Sequence, residues 1–233
     1  MGKRLERVEI IPISHFGVVS CFLVKGSRPV LVDTGLPHMG PGILRRIARE
    51  EYSPSDLALI LITHCHSDHA GNVAYLQRAT GAPVAVHPLE SGALRAGRPD
   101  APEPFTTAGR LLSAAAPFVR GVNVEPVEPA FLVDDGFGLD RFGVDGRVIA
   151  TPGHTAGSIS VLLDNGDAIV GDLVMGGILR PQAPGMPRWA TAPALLRSSI
   201  EKILSLEPAR LYASHGGPFK PQDVRRLLDS LSR

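Results

Sequence analysis

The sequence has little of several features that mark common protein classes. Its 233 residues include two cysteines, Cys21 and Cys65, which is too few for the disulfide framework that holds small secreted domains together. The formal net charge is +1, so no overall field attracts nucleic acid or an anionic membrane surface. We therefore expect neither nucleic acid nor a membrane surface as a partner.

Long hydrophobic runs are also missing. No uninterrupted apolar stretch approaches the roughly 20 residues that a membrane-spanning helix needs. The N-terminal residues carry positive charge, but Glu6 and Glu9 interrupt any apolar run of the kind found in a signal peptide. We expect a cytoplasmic protein. The content of 44% hydrophobic and 20% charged residues is typical of a globular chain, and the length suits a single domain over residues 1–233.

Short β-branched and apolar runs alternate with segments of helical spacing. Strands are predicted at residues 8–13, 18–24, 30–32, 57–62, 83–86, 147–150, 159–163, 168–170 and 210–213. Helices are predicted at residues 41–50, 71–79, 108–116, 193–205 and 221–231. This alternation predicts a layered α/β domain with helices outside the sheets.

Two proline-containing segments interrupt this alternation. Residues 88–129 contain one predicted helix among several prolines, and we interpret the segment as a surface excursion and a candidate lid. Residues 176–193 are irregular as well and follow a short Gly-Asp pair, Gly171 and Asp172. Both segments are candidates for the wall of a substrate pocket.

The motif THCHSDH at residues 63–69 is the strongest chemical signal in the chain. Four potential metal ligands, His64, His66, Asp68 and His69, lie within six residues, directly after an apolar strand and before a helix. In an extended backbone His64 and His66 point the same way, which turns the intervening Cys65 away from them. Neutral imidazole and carboxylate suit zinc, iron and manganese. The motif predicts a metal centre on a loop at the end of a sheet.

This His-x-His-x-Asp-His motif resembles the signature of the metallo-β-lactamase superfamily. Further motifs follow the order of that family, namely LVDTG at 31–35, TPGHTAGS at 151–158, GD at 171–172 and SHGG at 214–217. The resemblance covers residues 30–218, nearly the whole chain. It implies an α/β protein with an αββα four-layer sandwich fold and a site at one edge, between two sheets.

The resemblance also implies two groups of metal ligands that share one bridging residue. They are His64, His66 and His154 in the first group, Asp68, His69 and His215 in the second group, and Asp172 between them. The implied cofactor is a pair of divalent ions, with zinc expected and iron or manganese also compatible with these ligands. We interpret Asp33, at the end of a strand, as a residue that orients a ligand by hydrogen bonds.

The family chemistry implied by this ligand set is hydrolysis by a hydroxide that bridges two metals. Asp68 and Asp172 are the expected catalytic residues, with Asp68 able to shuttle a proton. The β-lactamases of the main zinc subclasses have cysteine or serine where Asp172 stands, whereas an aspartate resembles glyoxalase II, lactonases and thioesterases. Glyoxalase II also carries a helical C-terminal domain for glutathione, and this sequence ends soon after His215. We therefore expect cleavage of a small-molecule ester, thioester or lactone other than the glyoxalase II substrate.

Two alternatives to this reaction stay open. A β-lactam-hydrolysing enzyme is one of them. The other is a mononuclear iron persulfide dioxygenase, in which His64, His154 and Asp172 would bind one iron in an arrangement suited to oxygen chemistry. The Gly-Cys-Gly-Arg run that those dioxygenases carry after the fourth motif does not follow Asp172, which favours the hydrolase.

The substrate pocket and the assembly state are expected from position and resemblance. Met175, Ile178 and Trp189 could form an apolar wall near the metals, with Arg180 available to bind a carboxylate. Many relatives form pairs through surfaces outside the site, so a homodimer is an assembly that the resemblance allows.

Overall fold

The computed structural model describes residues 8–15, 17–99, 103–115, 122–177 and 179–231. Within these residues the chain forms a six-stranded sheet, a four-stranded sheet and a two-stranded ribbon, with helices on the outer faces. No helix in this described part combines the length and apolar character that a membrane span requires.

The first sheet carries the motif at residues 63–69. Its strands, in spatial order, are β1 (Glu9–His15), β2 (Val19–Lys25), β3 (Val30–Val32), β4 (Leu59–Leu61), β5 (Val84–Val86) and β6 (Phe131–Leu132). Strands β3 to β6 run parallel, with Val32 opposite Leu61. Because parallel strands end at the same edge of a sheet, Asp33 and Thr63 leave this sheet side by side.

The second sheet carries the other three predicted ligands. Its strands are β7 (Gly146–Ala150), β8 (Ile159–Leu163), β9 (Asp167–Gly171) and β12 (Arg210–Ala213), in the order β12-β9-β8-β7. The ribbon consists of β10 (Met175–Gly176) and β11 (Pro184–Gly185). Strands β9 and β12 are parallel, so Asp172 and His215 follow adjacent strand ends. The connection between β7 and β8 contains His154 and lies at the same edge.

The helices cover the outer face of each sheet. They are α1 (Gly40–Arg49), α2 (Ser67–Ala70), α3 (Val73–Thr80), α4 (Pro88–Ala96), α5 (Thr107–Ala115), α6 (Pro193–Ser205) and α7 (Pro221–Ser230). Buried residues of α1, α3 and α4 pack with the first sheet. Buried residues of α6 and α7 pack with the second sheet.

The alternation of side chains along the strands creates three separate cores. In β4 and the residue after it, Ile60 and Ile62 pack against the helices, whereas Leu59 and Leu61 pack against the second sheet. In β9, Ile169 faces the first sheet and its neighbours face α6 and α7. This period of two places one core between the sheets and one under each helical layer. The predicted αββα sandwich is therefore confirmed.

The prediction of an irregular chain from residue 88 was wrong for its first part. Residues Pro88–Ala96 form α4, and Leu94 is fully buried in the core under the first sheet. A proline at the first helical position is compatible with a helix because its missing N–H would have no partner there. The cap is His87, whose Nδ1 accepts a hydrogen bond from the Leu89 N–H. The helix was not predicted because several prolines surround it in the sequence.

Differences elsewhere are small. Most predicted elements are present with ends shifted by one or two residues. Strands β6, β10 and β11 were not predicted, because two residues each are too few to show a hydrophobic alternation. The predicted helix at residues 108–116 is observed as Thr107–Ala115, and Ala116 lies outside the described residues.

The core between the sheets predicts a specific stability difference. Leu61 is fully buried there, at the end of the strand that leads to the metal-binding motif. We expect Leu61→Ala to lower the free energy of unfolding by about 2–5 kcal/mol, because the cavity does not collapse completely. Leu195, on α6, is 48% exposed. Leu195→Ala should therefore change the free energy of unfolding by less than about 0.5 kcal/mol. Urea unfolding followed by circular dichroism measures both, and equal losses would contradict this core assignment.

Candidate metal centre

The seven predicted ligands come together at the shared edge of the two sheets. They are His64, His66, Asp68, His69, His154, Asp172 and His215. Their donor atoms form three overlapping groups in which all atoms lie within 4.8 Å of one another. The groups are His64–His66–His154, His64–His69–Asp172 and Asp68–His69–His215. The structure therefore juxtaposes residues that are up to 151 positions apart in sequence.

Three histidines form a compact triangle of ring nitrogens. Nε2 of His64 lies 3.0 Å from Nδ1 of His66 and 3.1 Å from Nε2 of His154. The third side, from His154 Nε2 to His66 Nδ1, is 3.0 Å. Zinc–nitrogen bonds of about 2.0–2.1 Å in a tetrahedral site would separate nitrogens by roughly 3.3 Å. The triangle is therefore close to the spacing that one metal ion requires.

Burial keeps these three histidines neutral. It lowers the pKa of His66 to about 3, with a further contribution from the nearby His154. It also lowers the pKa of His64 well below its usual range and lowers the pKa of His154. A metal ion binds the neutral imidazole. These histidines are thus in the protonation state that metal binding requires at neutral pH.

The second group combines carboxylates with histidines. Nε2 of His69 lies 3.3 Å from Oδ1 of Asp172, and Nε2 of His215 lies 3.3 Å from Oδ2 of Asp68. Oδ2 of Asp172 lies 3.5 Å from Nε2 of both His215 and His154. The Asp172 carboxylate is thus between the triangle and the second group, where a bridging ligand would be.

The charges in this second group stabilise one another. Burial alone would raise the pKa of Asp172, but His215, His69 and His154 together hold that pKa well below its usual range. Asp68 also has a lowered pKa, because His69 and His215 outweigh the effect of burial. Burial opposes protonation of His215, yet Asp172 and Asp68 raise its pKa to about 9. Both carboxylates are therefore ionised at neutral pH, which is the form that binds a cation.

Hydrogen bonds on the far side of three rings orient their Nε2 atoms towards the centre. Nδ1 of His69 donates to Oδ2 of Asp33 at 2.8 Å, and Nδ1 of His154 donates to the Trp189 carbonyl at 2.9 Å. Nδ1 of His215 donates to the Val18 carbonyl at 2.6 Å. The proton positions follow from the acceptors, which are a carboxylate and two carbonyl oxygens. Such partners fix the ring orientation of metal-binding histidines.

Asp33 holds two parts of the ligand loop at once. Its buried carboxylate accepts hydrogen bonds from the Thr63 N–H and the Thr63 hydroxyl, both at 2.8 Å, in addition to the His69 ring. Its backbone has φ of 63°, a left-handed conformation that aspartate tolerates better than most residues. The geometry agrees with the orienting role expected for Asp33.

Unpartnered atoms in the centre provide a test of whether a metal fits. Buried polar atoms are normally hydrogen-bonded, yet Nε2 of His69 and Oδ1 of Asp172 have no hydrogen-bond partner. They lie 3.3 Å apart but without hydrogen-bond alignment. Two buried atoms that can each give a lone pair to a metal, and that lack a protein partner, fit a bound cation. The set of imidazoles and carboxylates fits a divalent one.

The predicted substrate-pocket residues have different surroundings. Met175 is buried, and its sulfur accepts from the Arg188 guanidinium at 3.5 Å. Arg180 is exposed and lies in a tight turn with Gly177. Trp189 is partly buried, and its carbonyl binds His154. Ile178 lies outside the described residues. The wall therefore remains a prediction, with Trp189 as the member bonded directly to a ligand.

Besides the Trp189 carbonyl that bonds to His154, two partners of the ligand loops were missed by sequence reasoning. The Val18 carbonyl orients His215, and Glu90 hydrogen-bonds to the backbone of Cys65. A carbonyl contact leaves no trace in the residue type, so Val18 could not have been found. Glu90 stands in the third position of α4, but that helix was not predicted.

Comparisons with known proteins agree with this geometry. The family profile described as "Metallo-beta-lactamase superfamily" matches residues 15–215. The chain is 28% identical to the probable metallo-hydrolase YflN of Bacillus subtilis, over 91% of this chain and 85% of that protein. It is 30% identical to an uncharacterized protein of Mycobacterium tuberculosis, over 92% of this chain and 94% of that protein.

Solved structures show the same fold. MEM-A1, a subclass B3 metallo-beta-lactamase from a soil metagenome library, superposes with a TM-score of 0.67 at 25% identity, covering 98% of this chain and 82% of that one. The Rm3 metallo-beta-lactamase gives a TM-score of 0.67 at 27% identity, covering 92% and 87%. With its motifs, its sandwich and its convergent ligands, this chain belongs to the metallo-beta-lactamase superfamily.

Proposed function

We propose that the protein is a dinuclear metal-dependent hydrolase that cleaves an ester, thioester or lactone bond of a small molecule. The observation that carries the proposal is the convergence of seven donor side chains at one edge, with the Asp172 carboxylate within 3.5 Å of His69, His154 and His215. The similarity to a probable metallo-hydrolase supports the reaction class.

Each group has the composition expected of one ion site. His64, His66 and His154 would hold one metal ion, and Asp68, His69 and His215 would hold the other. When bound, a pair of divalent metal ions supplies a hydroxide nucleophile at neutral pH and polarises a carbonyl oxygen. No serine or cysteine nucleophile is required from the chain.

The two carboxylates differ in exposure, and we assign them different roles. Asp172 is buried and holds negative charge between the two groups. The Asp68 side chain is 30% exposed, with Oδ2 facing His215. Because it reaches solvent and contacts His215, Asp68 is the carboxylate of the two that can pass a proton between the centre and solvent.

Asp172 favours an ester, thioester or lactone substrate over a β-lactam, since cysteine or serine occupies this place in the main zinc β-lactamases. The fold similarity to subclass B3 metallo-beta-lactamases makes β-lactam hydrolysis the second candidate.

The pocket wall would come from the loop around Trp189. Residues 103–106 would contribute to it as well, because the Phe105 and Thr106 N–H groups donate to the Arg188 carbonyl.

Metal content and hydrolysis should change together. We expect two metal ions per chain by elemental analysis, together with turnover of at least one member of a panel of esters, thioesters, lactones and nitrocefin. Removal of metal by a chelator should abolish this turnover, and zinc should restore it. His154→Ala should reduce kcat/KM by at least about 100-fold, since it removes a ligand of the first group.

His38 provides the matched control for that variant, because it is an exposed histidine outside the centre. His38→Asn should retain wild-type turnover and metal content, since asparagine tolerates the φ of 74° at this position. A single iron per chain with oxygen uptake on a persulfide and no hydrolysis would replace the proposal with a dioxygenase. Turnover of nitrocefin alone would favour the β-lactamase.

The Asp33 contacts predict an effect on metal affinity. Asp33→Asn keeps the size of the side chain but replaces one acceptor oxygen with an amide, so Thr63 or His69 loses its partner. We expect metal binding to weaken by about 10–100-fold, as for other residues that orient metal ligands. Competition for the metal with a chromophoric chelator measures this change in metal affinity.

Asp56→Asn is the control for Asp33→Asn, because the Asp56 carboxylate accepts the Ser53 N–H in the turn before β4, at the opposite end of that strand from residues 63–69. Its metal affinity should equal that of the wild type. Wild-type affinity in Asp33→Asn would show that the Asp33 contacts do not orient the ligands.

A further inference from the structure

Glu90 connects the two ligand loops that come from different sheets. It is a buried residue in the first turn of α4. Its Oε2 accepts a hydrogen bond from the Cys65 N–H at 2.8 Å, and its Oε1 accepts one from the Gly157 N–H at 3.2 Å. We call this pair of contacts the Glu90 bridge.

The two ends of the Glu90 bridge are adjacent to ligands of the first group. Cys65 lies between His64 and His66, on the loop after β4 of the first sheet. Gly157 lies three residues after His154, in the connection between β7 and β8 of the second sheet. One carboxylate therefore sets the separation between the pair His64 and His66 on one side and His154 on the other.

The surroundings show that this contact is closely fitted. A Cβ atom added to Gly157 would lie 2.6 Å from Cγ of Glu90, so a side chain there would displace the carboxylate. The Cys65 thiol donates to the Glu90 carbonyl at 3.4 Å, which adds a second link between α4 and the loop. The close approach at Gly157 and this further link between Cys65 and Glu90 indicate a built contact rather than a loose surface pairing.

A carboxylate suits this place for a physical reason. Each of its two oxygens can accept from a different loop, and hydrogen bonds to an ionised acceptor are about twice as strong as neutral ones. Backbone N–H groups in a buried loop also need acceptors. A neutral side chain of the same length would satisfy one of the two donors.

We propose that Glu90 is a positioning residue for the first metal site, holding His64 and His66 at the correct distance from His154. This inference rests on the proposed dinuclear centre. The second group, Asp68, His69 and His215, is oriented by Asp33 and Val18 instead. Loss of the Glu90 bridge should therefore weaken the first site selectively.

Stepwise titration of the metal-free protein with Co²⁺ tests this selectivity. Paramagnetically shifted ring signals in proton NMR identify which histidines bind at each step. For Glu90→Ala we expect affinity at the first site to fall by about 10–100-fold. Affinity at the second site should stay within about twofold of wild type. Glu90→Gln, which keeps one acceptor oxygen, should show a smaller loss at the same site.

Asp167→Asn is the matched control. Asp167 is also a buried carboxylate with two hydrogen bonds, to Nε and Nη2 of Arg210. It begins β9, about 13 Å along the strand from Gly171, which directly precedes Asp172. This variant should have a lower melting temperature than wild type but should keep wild-type metal affinity at both sites. Equal weakening of both sites in Glu90→Ala, or no weakening, would overturn the proposal.

A second measurement is independent of metal and of substrate. In the metal-free protein, the Cys65 and Gly157 amides should both exchange with solvent at least about tenfold faster in Glu90→Ala than in wild type, and one of the two should do so in Glu90→Gln. Unchanged exchange at both amides would contradict the Glu90 bridge even if the protein bound no metal. Failure of wild type to bind two ions would count against the proposed function, while these exchange rates still test the bridge.

Discussion

Seven candidate metal ligands share a space a few ångströms wide, and most of them are buried. Burying imidazoles and carboxylates is unfavourable unless every polar atom finds a partner. Here the far sides of His69, His154 and His215 are bound by Asp33 and by two carbonyl oxygens. The near sides point at one another, and two of those atoms have no partner. The hydrogen bonds on the far sides of the rings therefore hold the near sides together.

The two sheets make the arrangement rigid. Their strands end at one edge, so the ligand loops are short extensions of fully buried strands such as β4 and β9. The core between the sheets sets their separation. Backbone contacts such as that from the Ile159 N–H to the Thr63 carbonyl at 3.0 Å then join the loops directly. A site whose ligands come from rigid elements is held more accurately than one built on free loops.

Charge divides the centre into two unlike halves. The triangle of His64, His66 and His154 is neutral because burial suppresses protonation. The second group contains the ionised carboxylates, which raise the pKa of His69 well above its usual range despite burial. The Asp172 carboxylate lies between these halves, 3.5 Å from both His154 and His215. The residues that hold the ligand loops differ as well: the Glu90 carboxylate bonds to loops of the triangle, whereas Asp33 bonds to His69 and to Thr63, the residue before His64.

By itself, the sequence determined the α/β class and most of the strands and helices, and the resemblance of its motifs to the metallo-β-lactamase superfamily implied the sandwich and the seven ligand candidates. Those features depend on local hydrophobic period and on short motifs, which are readable without distances. Only the tertiary structure decided how the ligands are oriented. Glu90 and the carbonyls of Val18 and Trp189 reach the ligand loops across gaps of 25 to 197 residues. A backbone carbonyl is the same in every residue type, and a glutamate in a helical first turn is common, so neither carries a sequence signal. Their role arises because two sheets, far apart in the chain, end at the same edge.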